Sequence, residues 1–179
     1  MVKNFRDDFI AIQTNLHDNP SAATATFEAS TRQVAGLLSE AEIRDFTVKI
    51  DEPATLGGTD RGPNPVELVL AALGACQEIT YRLYADTLGI PVNSVSVKLA
   101  GRLDLRGFFA VDDGVRPGFK DIHTTVTIDS PASADDIERL KATVDRHCPV
   151  LDILRNVTPV KIEFALQRER AIGRMAAAE

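Results

Sequence analysis

"GGTDRGPNPVELVLAALGACQEIT" (residues 57–80) passes from a loop of glycines and prolines into an almost unbroken apolar run that ends on Cys76. Asn64 followed by Pro65 offers a capping side chain and then a residue preset for the first helical position, so a helix is expected to start here. It can run to Leu88, with Gly89 as a left-handed stop and Pro91 just beyond. From Val66 to Cys76 only Glu67 and Gly74 interrupt the apolar residues, whereas a helix lying on a surface shows polar residues every second turn. The first half of this helix is therefore expected to be buried on every side. Later Arg82, Asp86 and Thr87 restore a polar face.

Working outward, "ATATFEAS" (23–30) and "IRDFTVKID" (43–51) alternate as strands, with a weaker strand around 33–39, which together read as an antiparallel meander. Before them Phe5, Phe9, Ile10 and Ile12 fit a short helix to about Asp18, lying on the body and ended by Asn19-Pro20. After the long helix, 94–105 and 120–129 alternate as two more strands, joined by the long linker "RGFFAVDDGVRPGF". A second helix begins at Ser133 and carries Ile137, Leu140 and Val144 at helical spacing, a row that Cys148 extends. "TPVKIEFALQ" (158–167) alternates as a closing strand. The order of elements is that of an α+β domain rather than a βαβ array.

A chain of 179 residues with 44% hydrophobic residues can build one real core, so one domain is expected. The net charge of −6 and the lack of any sustained basic block argue against a nucleic-acid or anionic-membrane partner. Charges run through the first twenty residues, where a signal peptide would be apolar, and no segment is apolar for long enough to span a bilayer. A cytoplasmic protein is expected. The sequence has no G-x-S-x-G, no G-x-x-x-x-G-K-[ST] and no G-x-G-x-x-G, which leaves the common hydrolase, phosphate-loop and dinucleotide routes without support.

Two cysteines cannot form a disulfide framework, and in a reducing compartment they are either packing or redox chemistry. Both thiols point at the core, and the inward faces of two long helices could bring them close. Pro149 disfavours helical geometry at Cys148 and favours a new helix start, so Cys148 can cap "PVLDILRN". Free backbone N–H groups there are expected to lower its thiol pKa, whereas Cys76, inside an apolar helix, looks inert by itself. His147 beside Cys148 could suggest a metal pair, but adjacent residues diverge by about 100° on a helix and no second ligand cluster exists, so no metal is expected. His17 and His123 read as surface histidines.

Taken together, "GGTDRGPNPVELVLAALGAC" and, further on, "HCPVLDIL" resemble the osmotically inducible protein C and organic hydroperoxide resistance family, OsmC/Ohr. The similarity runs over roughly residues 22–166 and takes in "GRLDLRGF" and "VRPGF". With it the chain divides into a helical extension (1–20), an OsmC-like domain (21–167) and a tail (168–179). The resemblance implies an α+β fold of antiparallel sheets with two long central helices, in an intertwined homodimer with active sites at the subunit interface. It also implies thiol peroxidase chemistry, with Cys76 as the peroxidatic cysteine and Cys148 as the resolving one. The substrate would be an organic hydroperoxide, and an external small dithiol or lipoyl-type reductant would take the place of a bound cofactor.

In that family an arginine of the first hairpin activates the cysteine, held by a glutamate directly after the Asn-Pro pair. Here Arg32 is the hairpin candidate, displaced by a few residues, and Arg61 is a second. Val66 occupies the glutamate's place, and Glu67 follows it, nine residues before Cys76 and so on the opposite helix face. That departure keeps open a reading from another class, an OsmC-like dimer that binds an apolar small molecule and has little peroxidase activity.

Overall fold

The computed structural model describes residues 4–167, so the tail expected at 168–179 lies outside the described residues. Helix α1 (Arg6–Asp18) comes first, ending where Asn19-Pro20 predicts, and a 3-10 turn follows at Pro20–Ala23. Strands β1 (Ser30–Ala35), β2 (Leu38–Ile43) and β3 (Phe46–Ile50) then form an antiparallel meander in that order. β3 lies within the strand expected at 43–51, whereas β1 and β2 are displaced by several residues from those expected at 23–30 and 33–39. The turns fall at Gly36 and Arg44, both with positive φ (56° and 55°), and these turns set the register that pairs Arg32 with Glu40. Alternation gives a strand its period but not its ends. Residues 24–29, expected to be strand, are irregular, and Phe27 is 93% exposed.

Between β3 and the long helix the chain is tied down by one carboxylate. Asp51 is only 2% exposed and accepts hydrogen bonds from the N–H groups of Glu52 (2.9 Å), Thr59 (3.1 Å) and Arg61 (3.2 Å) and from the Thr59 hydroxyl (2.5 Å). Gly58 has to be a glycine here, since a Cβ would fall 1.8 Å from the Glu52 carbonyl oxygen. The Thr59 hydroxyl, assisted by the three backbone N–H groups, holds the Asp51 carboxyl below its ordinary value despite burial. A carboxylate depressed in the folded state stabilises it above the unfolded pKa and loses that contribution as pH falls through the folded value. Asp51→Asn should therefore melt below the parent at pH 7, and the gap should narrow as pH drops below 3.8. A gap of constant size across that range in thermal melts would count against this account.

Helix α2 (Pro65–Leu88) is capped as its sequence predicts. Asn64 Oδ1 accepts from the Glu67 N–H (2.9 Å), Glu67 Oε2 accepts from the Asn64 N–H (2.8 Å), and Gly89 turns left-handed (φ 69°) at the other end. Strands β4 (Ser94–Leu103) and β5 (Phe119–Asp129) pair antiparallel under it, linked through the short helix α3 (Leu105–Phe108). Gly74 lets the sheet close on the helix, because a Cβ there would meet Leu99 Cδ1 at 2.9 Å. Helices α4 (Ala134–His147) and α5 (Pro149–Arg155) pack against α2, where Leu140 and Val144 are fully buried with Leu73, Tyr81 and Ala85. Burial, with Asp145 and Glu138 adding negative charge, pushes the Tyr81 phenol up to about 12, so the ring stays neutral.

Two expectations are corrected. The first half of α2 is not buried on every side: Ala71, Ala72 and Ala75 are exposed and Ile79 is 60% exposed, while the buried residues, including Asp86, lie from Leu73 onward. Among the described residues the β4–β5 sheet, the α4–α5 pair and, around Tyr84 and Asp86, helix α1 cover this helix, and the exposed face of its first half has no element against it. Residues 158–167 form no strand. Their alternation is real, but no strand lies beside them, and Val160, Ile162 and Phe164 (89%) stand exposed. Among the described residues no helix is long and apolar enough to cross a membrane.

Candidate active site

Leu140, Val144 and Cys148 occupy successive turns of one face. Cys148 closes α4, its N–H donating to the Val144 carbonyl (2.9 Å), and also stands at the N-cap of α5, as Pro149 predicts. The sulfur is thereby fixed at a bend between two helices. Cys76 lies in the middle of α2, and the two Sγ atoms are 3.3 Å apart, with the Cys148 thiol donating to the Cys76 sulfur. Both are free thiols; Cys148 is buried (1% exposed) and Cys76 only half-buried. A disulfide needs about 2.05 Å, so bonding requires an approach of only about 1.3 Å.

Burial pushes the Cys148 thiol above its ordinary value. The N–H groups of Leu151 and Val150 at the start of α5 pull the other way without overcoming it. This reverses the direction expected from the N-cap position alone, since the amides that favour a thiolate there act inside a dry core. Cys148 is held as the protonated donor, and the more accessible Cys76 is the sulfur that accepts.

The other expected residues are placed elsewhere. Arg32 lies on β1, exposed along its whole length, and pairs with Glu40 across the sheet. Glu67 completes the cap of α2, and the backbone N–H of Arg61 is bound by Asp51. His17 and His123 are exposed, as expected. His147 stacks on Tyr84 (centroids 5.3 Å apart, 27°). That contact was not foreseen, and neither was Gln77. Next to Cys76 and 5% exposed, its Oε1 has no hydrogen-bond partner among the described residues, and the signal for it is a lone amide inside an apolar helix. Leu73 and Gln77 border a cleft of about 800 Å³ that continues along Ile122 and Val126 of β5 to Ile137 and Leu151. A second cleft of about 490 Å³ opens at the start of α2 between Val66, Leu70, Leu105 and Phe108.

The fold has counterparts in known proteins. An OsmC-like protein from Mycoplasma pneumoniae shares the fold with a TM-score of 0.65 at 21% identity, over 74% of this chain and 89% of that one. A structure from Legionella pneumophila, described as an organic hydroperoxide resistance protein OsmC and predicted redox protein, matches with a TM-score of 0.57 at 23% identity, over 74% and 92%. An organic hydroperoxide resistance protein from Elizabethkingia anophelis matches with a TM-score of 0.57 at 18% identity, over 75% and 91%. No curated protein sequence matches the chain. At these identities the structures establish the fold alone. Residues 58–163, more than half of the chain, match the family model described as OsmC-like protein, and the chain belongs to that family.

Proposed function

We propose that the protein is a thiol peroxidase that reduces organic hydroperoxides to alcohols. The observation that carries the proposal is the 3.3 Å sulfur pair in which a buried, protonated Cys148 donates to the more open Cys76. Cys76 as thiolate attacks the hydroperoxide, two electrons pass from sulfur to the O–O bond, and the leaving alkoxide takes up a proton as the alcohol. The Cys76 sulfenic acid is then attacked by the Cys148 sulfur. The S–O bond breaks, hydroxide leaves as water with the Cys148 proton, and the Cys76–Cys148 disulfide forms. A small dithiol, lipoyl-type or similar, returns two electrons through a mixed disulfide.

The working form is proposed to be a cytoplasmic homodimer. The uncovered face of α2 and the apolar side chains of Val157, Val160, Ile162, Phe164 and Leu166 are exposed, and large apolar patches of this kind mark interaction surfaces. A second copy would cover them, and light scattering should return about twice the 19.4 kDa of the chain. A stable monomer would contradict this. Arg32 is the candidate cation for Cys76 and Glu67 the candidate for holding it. Because β1 is exposed throughout, Arg32 is free to be presented to a second copy once it leaves Glu40.

The cleft that starts at Gln77, the residue after Cys76, has apolar walls at Ile122, Val126, Ile137 and Leu151 beside the charged Arg116, Lys120 and Lys141. Those apolar walls favour organic over inorganic peroxide, since apolar substrate surface gains about 25 cal/mol per Å² on burial. Cumene hydroperoxide should therefore oxidise the thiols faster than hydrogen peroxide in stopped-flow mixing, and the reverse order would remove the argument. The same cleft is the observation behind a second reading, an OsmC-like dimer that binds an apolar small molecule. Thiols that persist for minutes under one equivalent of cumene hydroperoxide would favour that reading.

A further inference from the structure

Helix α1 lies before the stretch that matches the family model, and it is attached to α2 at two points one turn apart. The Phe5 N–H donates to Asp86 Oδ2 (3.0 Å), while Asp86 Oδ1 takes Arg82 Nη2 (2.5 Å) and Arg82 Nη1 reaches the Val92 carbonyl (2.9 Å). The Phe9 ring meets Tyr84 edge-on, with centroids 5.3 Å apart at 70°. Tyr84 in turn stacks on His147, the last residue of α4 and the neighbour of Cys148. A ladder of rings thus runs from α1 across α2 to the residue next to the one that carries the second sulfur. Cys76 lies on the same helix as the middle rung, about two turns before Tyr84. Ile10 and Ile12 remain exposed, so α1 adds little to the core.

We propose that α1 is a positioning element for Cys148. Docking of Phe9 against Tyr84 holds the Tyr84–His147 stack, and the stack fixes the α4–α5 bend so that Cys148 stays within reach of Cys76. Its catalytic consequence rests on the peroxidase reading above, but the sulfur geometry it concerns does not. Without the ladder the bend samples more conformations, and the effective concentration of one thiol at the other falls. Phe9, Tyr84 and His147 are positioning residues here, because none of them touches either sulfur's reaction partner.

The test is the thiol–disulfide equilibrium of the full chain with glutathione, read by alkylation and mass spectrometry. Glutathione disulfide oxidises the pair, forming one Cys76–Cys148 disulfide and two glutathione thiols, so the readout needs no peroxide. Phe9→Ala should lower the equilibrium constant roughly three- to tenfold, the size expected from losing an aromatic pair, and Phe9→Tyr should restore it. His147→Ala should give a similar loss, and the double variant should lose little more than either single one, because both act through Tyr84. With cumene hydroperoxide, Phe9→Ala should slow the peroxide-independent step that forms the disulfide and leave sulfenic acid formation at the parent rate. An equilibrium constant unchanged in Phe9→Ala, or losses that simply add in the double variant, would overturn the proposal. A parent that equilibrates with glutathione but ignores peroxide would instead remove the peroxidase reading and leave this one standing.

Discussion

Cys76→Ser should abolish peroxide-driven disulfide formation, with single-turnover oxidation falling by about 10³-fold or more, as for loss of any attacking nucleophile. Cys148→Ser should behave differently. Its first step should survive near the parent rate, because the sulfur that attacks is intact, but the product should stop at a Cys76 sulfenic acid that dimedone can trap. The expected asymmetry comes from burial: Cys148 is 1% exposed and held protonated, so in the proposed reaction peroxide meets Cys76 first. Mass spectrometry of the two variants after one equivalent of cumene hydroperoxide checks this. Sulfenic acid on Cys148 in the Cys76→Ser protein, formed at the parent rate, would exchange the two roles.

Leu140→Ala should have the largest effect on stability. Leu140 has no exposed surface and packs in the cluster of Leu73, Tyr81, Ala85 and Val144, where α4 meets α2 and α5. Truncation removes buried methyl groups and leaves a cavity that two rigid helices cannot collapse, which costs about 2–5 kcal/mol. Leu154→Ala is the comparison. Leu154 is 39% exposed near the end of α5, and its truncation should cost under about 1 kcal/mol. Denaturant titrations at equal protein concentration read both, since association would shift the midpoint by mass action. Equal costs at the two positions would place the core elsewhere.

The parts of the fold governed by local chemistry are legible in the sequence. Asn64-Pro65 and Gly89 bound α2 to the residue, and Leu140, Val144 and Cys148 share the buried face that their spacing predicts. Pro149 marks the break at Cys148. What depends on distant surfaces is not legible. Alternation around residues 23–51 could not locate the turns at Gly36 and Arg44, because a positive φ at Arg44 leaves no mark in a hydropathy pattern. The apolar first half of α2 and the alternating 158–167 segment predict burial that one chain does not supply. At the site, the 3.3 Å sulfur distance needs the packing of α2 on α4, and the direction of the Cys148 shift needs the depth of its burial. The two donors at the start of α5 are visible in the sequence, but the dry environment that outweighs them is not. The Phe9–Tyr84–His147 ladder joins three separate helices, and no spacing rule connects them.

The most direct test of the account counts free thiols per chain before and within seconds after one equivalent of cumene hydroperoxide, by alkylation and mass spectrometry. The expected result is loss of both thiols together, with Cys76 and Cys148 recovered in one disulfide-linked peptide pair. Two thiols persisting for minutes, or oxidation of Cys76 alone in the parent protein, would contradict a working pair built on the 3.3 Å contact.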